Sequence, residues 1–275
     1  MKTYPCILTI AGSDCSGGAG IQADIKTISA LGAYAASAIT AVTAQNTCGV
    51  NGVFPVPAPI VQSQIEAVMT DIRPDAIKIG MVSDPETVRT IARSLRKFHP
   101  RHVIFDPVMV STSGCKLMDD EAISVIVKEL MPLSSLITPN LSEARVLTGK
   151  DISTVDAMEA VAGELLQWGS GGVLIKGGHL EGNQMCDVMK LRDNAQVYRF
   201  DAPKIKSKNT HGTGCTLSSA IATFCALGLP LAEAVGKAKE YVYKGIEAGK
   251  DIHIGEGHGP LNHFYEPVPM HVFSR

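Results

Sequence analysis

The sequence contains no CxxC pair, no basic cluster, no low-complexity tract and no apolar run approaching the length of a bilayer span. Each absence removes a class of protein. Its seven cysteines, an odd number at 6, 15, 48, 115, 186, 215 and 225, follow no disulfide-like spacing, which suits small buried thiols in a reducing compartment. With 25 Lys and Arg against 27 Asp and Glu, the net charge is -2, and no stretch concentrates the positive residues. Nucleic acid and anionic membranes therefore find no electrostatic footprint. The longest apolar stretches, Ala35 to Ala44 and Ser219 to Leu229, fall well short of the ~20 residues that cross a bilayer. Met1-Lys2-Thr3 opens onto a short apolar run with no signal-peptide cleavage pattern. A cytoplasmic protein that handles a small molecule is the expectation.

What is present is an ordinary globular composition, 45% hydrophobic and 19% charged. Ile7-Leu8-Thr9-Ile10, Ala76-Ile77-Lys78-Ile79, Val103-Ile104-Phe105, Leu136-Ile137 and Val173-Leu174-Ile175 are short apolar runs closed by Gly, Asp or Pro, the pattern of buried parallel strands. Val88, Ile91, Ala92, Leu95 and Phe98 recur at helical spacing after Asp84-Pro85, which supplies a cap and a first-turn proline. Ser153-Thr154-Val155-Asp156 resembles a capping box ahead of the face Val155, Met158, Val161, Ala162, Leu165. Alternating strands and helices demand crossovers and a sheet covered on both faces, with ligands at the carboxyl ends of the strands. Val188 to Leu191 and Gln196 to Arg199 flank Asp193-Asn194, the signal of an antiparallel edge hairpin. No linker or composition shift divides the chain, so one α/β domain is expected over 1–266, with a short tail over 267–275.

Four segments carry chemistry. Ala11 to Gly20 holds four glycines after a strand, which lets backbone amides approach a ligand, although a tight turn also accounts for it. It is neither a P-loop, since no Gly-Lys-Ser/Thr follows, nor a dinucleotide fingerprint. His211-Gly212-Thr213-Gly214-Cys215-Thr216 opens an apolar helix, where consecutive amides form an anion hole for a transferred phosphoryl group. Cys215 would feel that field, with a lowered pKa and a thiolate able to take a proton, or else simply pack in the first turn. Asn140 and Glu143, three apart at a helix start, fit either Mg²⁺ ligation or a cap. Asp106 and Lys176, each ending a strand, fit either a ligand site or an ion pair.

Together these segments resemble the ribokinase superfamily. Ala11-Gly12-Ser13-Asp14 through Gly20-Ile21-Gln22-Ala23-Asp24, Thr43-Ala44-Gln45-Asn46-Thr47, Gly80-Met81, Asp106-Pro107-Val108-Met109, Thr138-Pro139-Asn140, His211 to Thr216 and His258-Gly259-Pro260-Leu261-Asn262-His263 are similar to the hydroxymethylpyrimidine and phosphomethylpyrimidine kinases of thiamine synthesis. The resemblance spans nearly the whole chain. It implies a three-layer α/β/α fold, a homodimer, ATP with Mg²⁺, and two successive phosphorylations of 4-amino-5-hydroxymethyl-2-methylpyrimidine. By the same resemblance Gln45, Asp24, Gly12, Ala19, Met81 and Val108 line the pyrimidine pocket. Asp106, Asn140, Glu143, Lys176, Thr213 and Lys237 face ATP or Mg²⁺, with Asp106 and Glu143 toward the metal, and Cys215 is the base. Most of the superfamily has Asp where this chain has Cys215.

Gln45 supports the pyrimidine branch independently. A carboxamide presents a donor beside an acceptor, the complement of a 4-aminopyrimidine edge. Pyridoxal offers a phenolic oxygen and an aldehyde instead. Pyridoxal kinase and a pyrimidine-binding protein without turnover are the rival readings; intact Asn140, Glu143, Lys176 and Cys215 speak against the second. A metal site from His253, His258 and His263 is disfavoured, because five-residue spacing does not stack imidazoles on one helical face. Ser111 to Lys116, short and Gly-containing, has the composition of a lid or of an ordinary loop.

Overall fold

Apolar residues at consecutive positions need burial on both faces of a strand, and the fold supplies it. In the computed structural model, which describes residues 1–109, 118, 120–178, 180 and 183–274, Ile7, Leu8 and Ile10 are all fully buried. They lie on β2 (Cys6–Asp14), which follows the short β1 (Lys2–Thr3). Next come α1 (Gly20–Ala30), β3 (Tyr34–Asn46), β4 (Gly49–Pro55), α2 (Ala58–Asp71), β5 (Ala76–Ile79), α3 (Pro85–Phe98) and β6 (Val103–Phe105). The chain continues through α4 (Asp120–Val125), β7 (Leu136–Ile137), α5 (Leu141–Thr148), α6 (Val155–Leu166) and β8 (Gly172–Ile175). It ends with β9 (Gln184–Leu191), β10 (Asn194–Pro203), α7 (Thr213–Ala226), α8 (Leu231–Gly249) and β11 (Phe273–Ser274).

Nine strands form one sheet in the order β10-β9-β8-β7-β6-β5-β2-β3-β4. The six from β8 to β3 are parallel, and β9, β10 and β4 run antiparallel to their neighbours. Alternate residues of β2 serve two cores: Leu8 and Ile10 meet α2, α3 and α6, while Ile7 meets α1, α7 and α8. This is the expected three-layer α/β/α arrangement with its edge hairpin. Among the described residues no helix is long and apolar enough to cross a membrane.

Local signals explain the helix starts. The Asp84 side chain accepts from Thr87 N at 2.9 Å ahead of Pro85, and Val88, Ile91, Ala92 and Leu95 are buried. At α6 the cap is Thr154, whose hydroxyl accepts from Ala157 N, so the Ser153–Asp156 box does not form and the cap sits one residue later. The sheet also has a second antiparallel edge, β3–β4, which the sequence reading did not anticipate. Residues beyond Pro267 return to α1: Val268 N donates to Ala30 O, His271 N donates to Gly32 O, and β11 pairs with β1. The Ser111–Lys116 segment lies outside the described residues.

Candidate active site

Because six strands run parallel, their carboxyl ends open on one edge of the sheet, and the candidate residues arrive there from different strands. Asp14 ends β2 and Gln45 lies in the last turns of β3; Gly80-Met81 follow β5, Asp106 follows β6, Asn140 follows β7 and Lys176 follows β8.

Asp106, Glu143 and Lys176 converge. Lys176 Nζ donates to Asp106 Oδ1 at 2.6 Å and lies 4.0 Å from Glu143 Oε2, and the Thr138 hydroxyl donates to Asp106 at 2.9 Å. Asn140 and Glu143 complete a capping box on α5: Glu143 N donates to Asn140 Oδ1 at 2.9 Å and Asn140 N to Glu143 Oε2 at 2.7 Å. The cap reading and the ligand reading thus involve the same atoms, with one Glu143 oxygen held by the cap and the carboxylate still beside Lys176. Burial, opposed by Lys176 and reinforced by the Asp106 charge, pushes the Glu143 carboxyl up to about 7. Burial alone would depress the Lys176 ammonium, but Asp106 and Glu143 outweigh it and hold it above its usual value.

The helix N-terminus faces the same edge. Gly212 to Cys215 are half-buried, whereas His211 and Thr216 on either side are buried. Gly212 has φ 78°, and a Cβ there would collide with the Gly18 carbonyl. Gly214 packs against the ion pair, where a Cβ would lie 3.2 Å from Asp106 Oδ2 and 3.3 Å from Lys176 Nζ. Gly212→Ala should therefore misplace the whole turn and lower kcat for every acceptor by ~10²–10³-fold, the loss typical of one removed anion-hole donor. Steady-state kinetics with each acceptor checks it.

One expectation fails here. Cys215 was expected to have a lowered pKa, yet burial, helped by the Asp24 and Asp106 charges and opposed by Lys78 and the Gly20 amide, pushes its thiol up to about 11.

Toward β3, the half-buried Gln45 carboxamide has Nε2 3.3 Å from His211 Nε2 and Oε1 3.2 Å from Thr43 Oγ1. His211 Nε2 is in turn 2.9 Å from Asp14 Oδ2. Met81 lies over Gly12, where a Cβ would come within 2.7 Å of its terminal methyl, so the bare backbone leaves room for that side chain. Ala19 and Val108 are half-buried near the same strand ends. The segment His258 to His263 straps this side together: His258 N donates to Thr47 O and His211 N to Gly259 O. His253, His258 and His263 are not gathered: His263 is buried against Thr216 on α7, and His253 is exposed.

Two sequence expectations need correction in this region. The Gly-rich loop does not aim its amides outward; Ser16 N, Gly18 N and Ala19 N all donate to the Asp14 carboxylate. Asp24 does not reach the cleft. It is fully buried, with Lys78 Nζ 2.9 Å from both oxygens and hydroxyls of Thr9 and Ser219 donating at 2.5 and 2.7 Å, so its lone pairs are spoken for. Lys237 is exposed on α8, and two residues on Lys239 lies 2.7 Å from Asp187, which accepts from the Gly177 amide next to Lys176. Lys78, Asp14, His211 and Lys239 are the residues that sequence reasoning did not assign. A lysine inside the apolar run Ala76 to Ile79 was the available signal for the first, since a buried ammonium requires a buried partner.

Comparison with known proteins adds a family. A family model described as phosphomethylpyrimidine kinase matches residues 14–262. A hydroxymethylpyrimidine/phosphomethylpyrimidine kinase from Rhizobium meliloti is 50% identical over 259 residues, 94% of this chain and 96% of that protein. A thiamine biosynthesis bifunctional protein from Geobacter sulfurreducens is 49% identical over 257 residues, and the chain spans about half of its length, 52%. Among solved structures, a phosphomethylpyrimidine kinase from Clostridium difficile superposes with TM-score 0.77 at 48% identity, covering 88% of this chain and 99% of that one. An ADP complex of Bacillus subtilis pyridoxal kinase superposes with TM-score 0.88 at 32% identity, covering 95% and 98%.

Proposed function

The chain belongs to the phosphomethylpyrimidine kinase family, and we propose that its cleft transfers phosphoryl groups from ATP twice. The first acceptor is 4-amino-5-hydroxymethyl-2-methylpyrimidine and the second is its monophosphate, in thiamine biosynthesis. The observation that carries this reading is the 3.3 Å approach of Gln45 to His211, the residue that leads into the Gly212–Cys215 turn. A ring held by Gln45 then lies within reach of the anion hole, so one small acceptor bridges both.

Each residue has a role in this reading. Gln45 pairs with the ring nitrogen and the amino group, between walls made by Gly12, Ala19, Met81 and Val108. The amides of Gly212, Thr213, Gly214 and Cys215 and the Lys176 ammonium hold the charge on the moving phosphoryl. Asn140 shapes the start of α5 beside the nucleotide, and Cys215 takes the proton of the hydroxymethyl group. For the metal, Asp106 and Glu143 are two carboxylates sharing one ammonium at 2.6 and 4.0 Å, a donor set of hard oxygens with negative charge left over, which fits Mg²⁺. When bound, Mg²⁺ neutralises phosphate oxygens. A homodimer is supported by Val42 and Phe54, cross-strand partners at the β3–β4 edge that are 48% and 70% exposed. A cytoplasmic setting agrees with the supply of ATP and with free thiols.

The test is ADP release with three acceptors. The pyrimidine alcohol and its monophosphate should both turn over, and pyridoxal should be at least about tenfold poorer, because half of the Gln45 amide would be mispaired at ~1–3 kcal/mol. Gln45→Ala should erase that preference. A preference for pyridoxal overturns the substrate assignment, and no ADP release with any acceptor overturns the enzyme reading.

A further inference from the structure

Asp14, His211, Gln45 and Thr43 form one connected line at the acceptor end of the cleft. We propose that Asp14 and His211 on one side, and Thr43 on the other, are positioning residues that fix which way round the Gln45 carboxamide sits, and so set the direction in which the acceptor ring enters. The proposal rests on the reading of Gln45 given above.

The hydrogens decide it. Asp14 is an acceptor collecting Ser16 N, the Ser16 hydroxyl, Gly18 N and Ala19 N. Burial pushes its carboxyl up, but the hydrogen bonds from His211, Ser16 and Ala19 outweigh this and hold it at about 2, so it stays ionised. His211 Nε2, 2.9 Å from this carboxylate, must therefore carry a hydrogen, in the neutral ring and the imidazolium alike. The carboxamide nitrogen lies 3.3 Å from the same Nε2, but a ring N–H has no lone pair to offer an amide N–H, so the end facing it has to be oxygen, sharing the hydrogen that points to Asp14, and the carboxamide is turned over. At the other end, the Thr43 hydroxyl has one hydrogen and two candidate acceptors, the Ser13 carbonyl at 2.9 Å and the carboxamide oxygen at 3.2 Å; given to the nearer carbonyl, it leaves a lone pair toward the turned-over carboxamide. That end has to be nitrogen. An amide's O and N are assigned by their partners, and here both partners ask for the same orientation.

The order then matters for chemistry. One lone pair of Oε1, on the His211 side, and one hydrogen of Nε2, on the Thr43 side, are left for a ligand. A 4-aminopyrimidine matches them with its amino group toward His211 and ring N3 toward Thr43. Carbon 5, next to the amino-bearing carbon, then carries its hydroxymethyl group on the His211 side, where the chain runs on into Gly212–Cys215. The opposite amide orientation would turn that group away from the anion hole. It would also suit the 4-oxo analogue, whose N3–H and C4=O reverse the pattern.

Two measurements on the whole enzyme test this. In ¹⁵N NMR, His211 should show a protonated Nε2, and a neutral Nδ1–H tautomer overturns the proposal. In competition kinetics the native enzyme should favour the 4-amino acceptor over its 4-oxo counterpart. His211→Phe, which keeps a ring against Gly18 but has no N–H, and Thr43→Val should each cut that preference by about tenfold or more, the order expected for one mispaired buried polar group. An unchanged preference in His211→Phe overturns the positioning role. Gln45→Ala separates the two levels: if it abolishes the preference while His211→Phe does not, the reading of Gln45 stands and the positioning role falls; if it keeps the native preference, both fall.

Discussion

Lys78→Met is expected to destabilise the protein by about 3–5 kcal/mol, the range for breaking a buried ion pair by removing one partner. Lys78 and Asp24 are both fully buried, and the ammonium lies 2.9 Å from each carboxylate oxygen. Burial would lower the Lys78 ammonium, but the charges of Asp24 and Asp106 override it and hold it above its usual value, so it stays charged. Methionine replaces the stem but leaves the Asp24 carboxylate with only the hydroxyls of Thr9 and Ser219. At roughly 2–4 °C per kcal/mol for a large domain, the melting midpoint should fall on the order of 10 °C. Adding Asp24→Asn should recover most of the loss, because the stranded charge is removed. Calorimetry of the single and double variants checks both statements, and a single variant as stable as the parent would refute them.

The second large effect is kinetic. Below about 11 the Cys215 thiol keeps its proton, so its thiolate fraction grows tenfold for each pH unit on the way up. If thiolate takes the hydroxymethyl proton, kcat/KM for the first phosphorylation should rise about 100-fold from pH 7 to 9, following that fraction. The second acceptor, a phosphate monoester with a second pKa of ~6, is already ionised over this range and needs no base. Its rate should change little. Glu143, pushed up to about 7, also titrates nearby, but it would act on both transfers, so the ratio of the two isolates the thiol. Cys215→Ser should slow the first transfer by ~10²–10⁴-fold and the second far less. Flat profiles with equal slowing would limit Cys215 to its backbone amide.

The layers of this fold could be read from the sequence wherever burial was complete. The runs on β2, β5, β6, β7 and β8 have no polar face to confuse their period, and α3 carries a cap, a first-turn proline and one apolar stripe. The β3–β4 edge was illegible because its signal is weak: small residues alternate in β3, and most of β4 is exposed. The site divides in the same way. Motif positions such as Gln45, Asp106, Asn140 and Lys176 arrive at strand ends as expected, since a parallel sheet sends every such end to one edge. What a motif cannot reveal is whom its neighbours face. The loop amides after β2 turn to Asp14, Asp24 turns to Lys78, and burial raises the Cys215 thiol.

The strap from His258 to His263 bears on how the two sides of the cleft keep their spacing. It is drawn from the late part of the chain, yet it pins Thr47 beside Gln45 and His211 beside the phosphate turn. The ends of β3 and α7 are thus held together twice, by side chains where Gln45 and Asp14 meet His211 and by main chain through this segment, so a side-chain change at the first tie leaves the second in place.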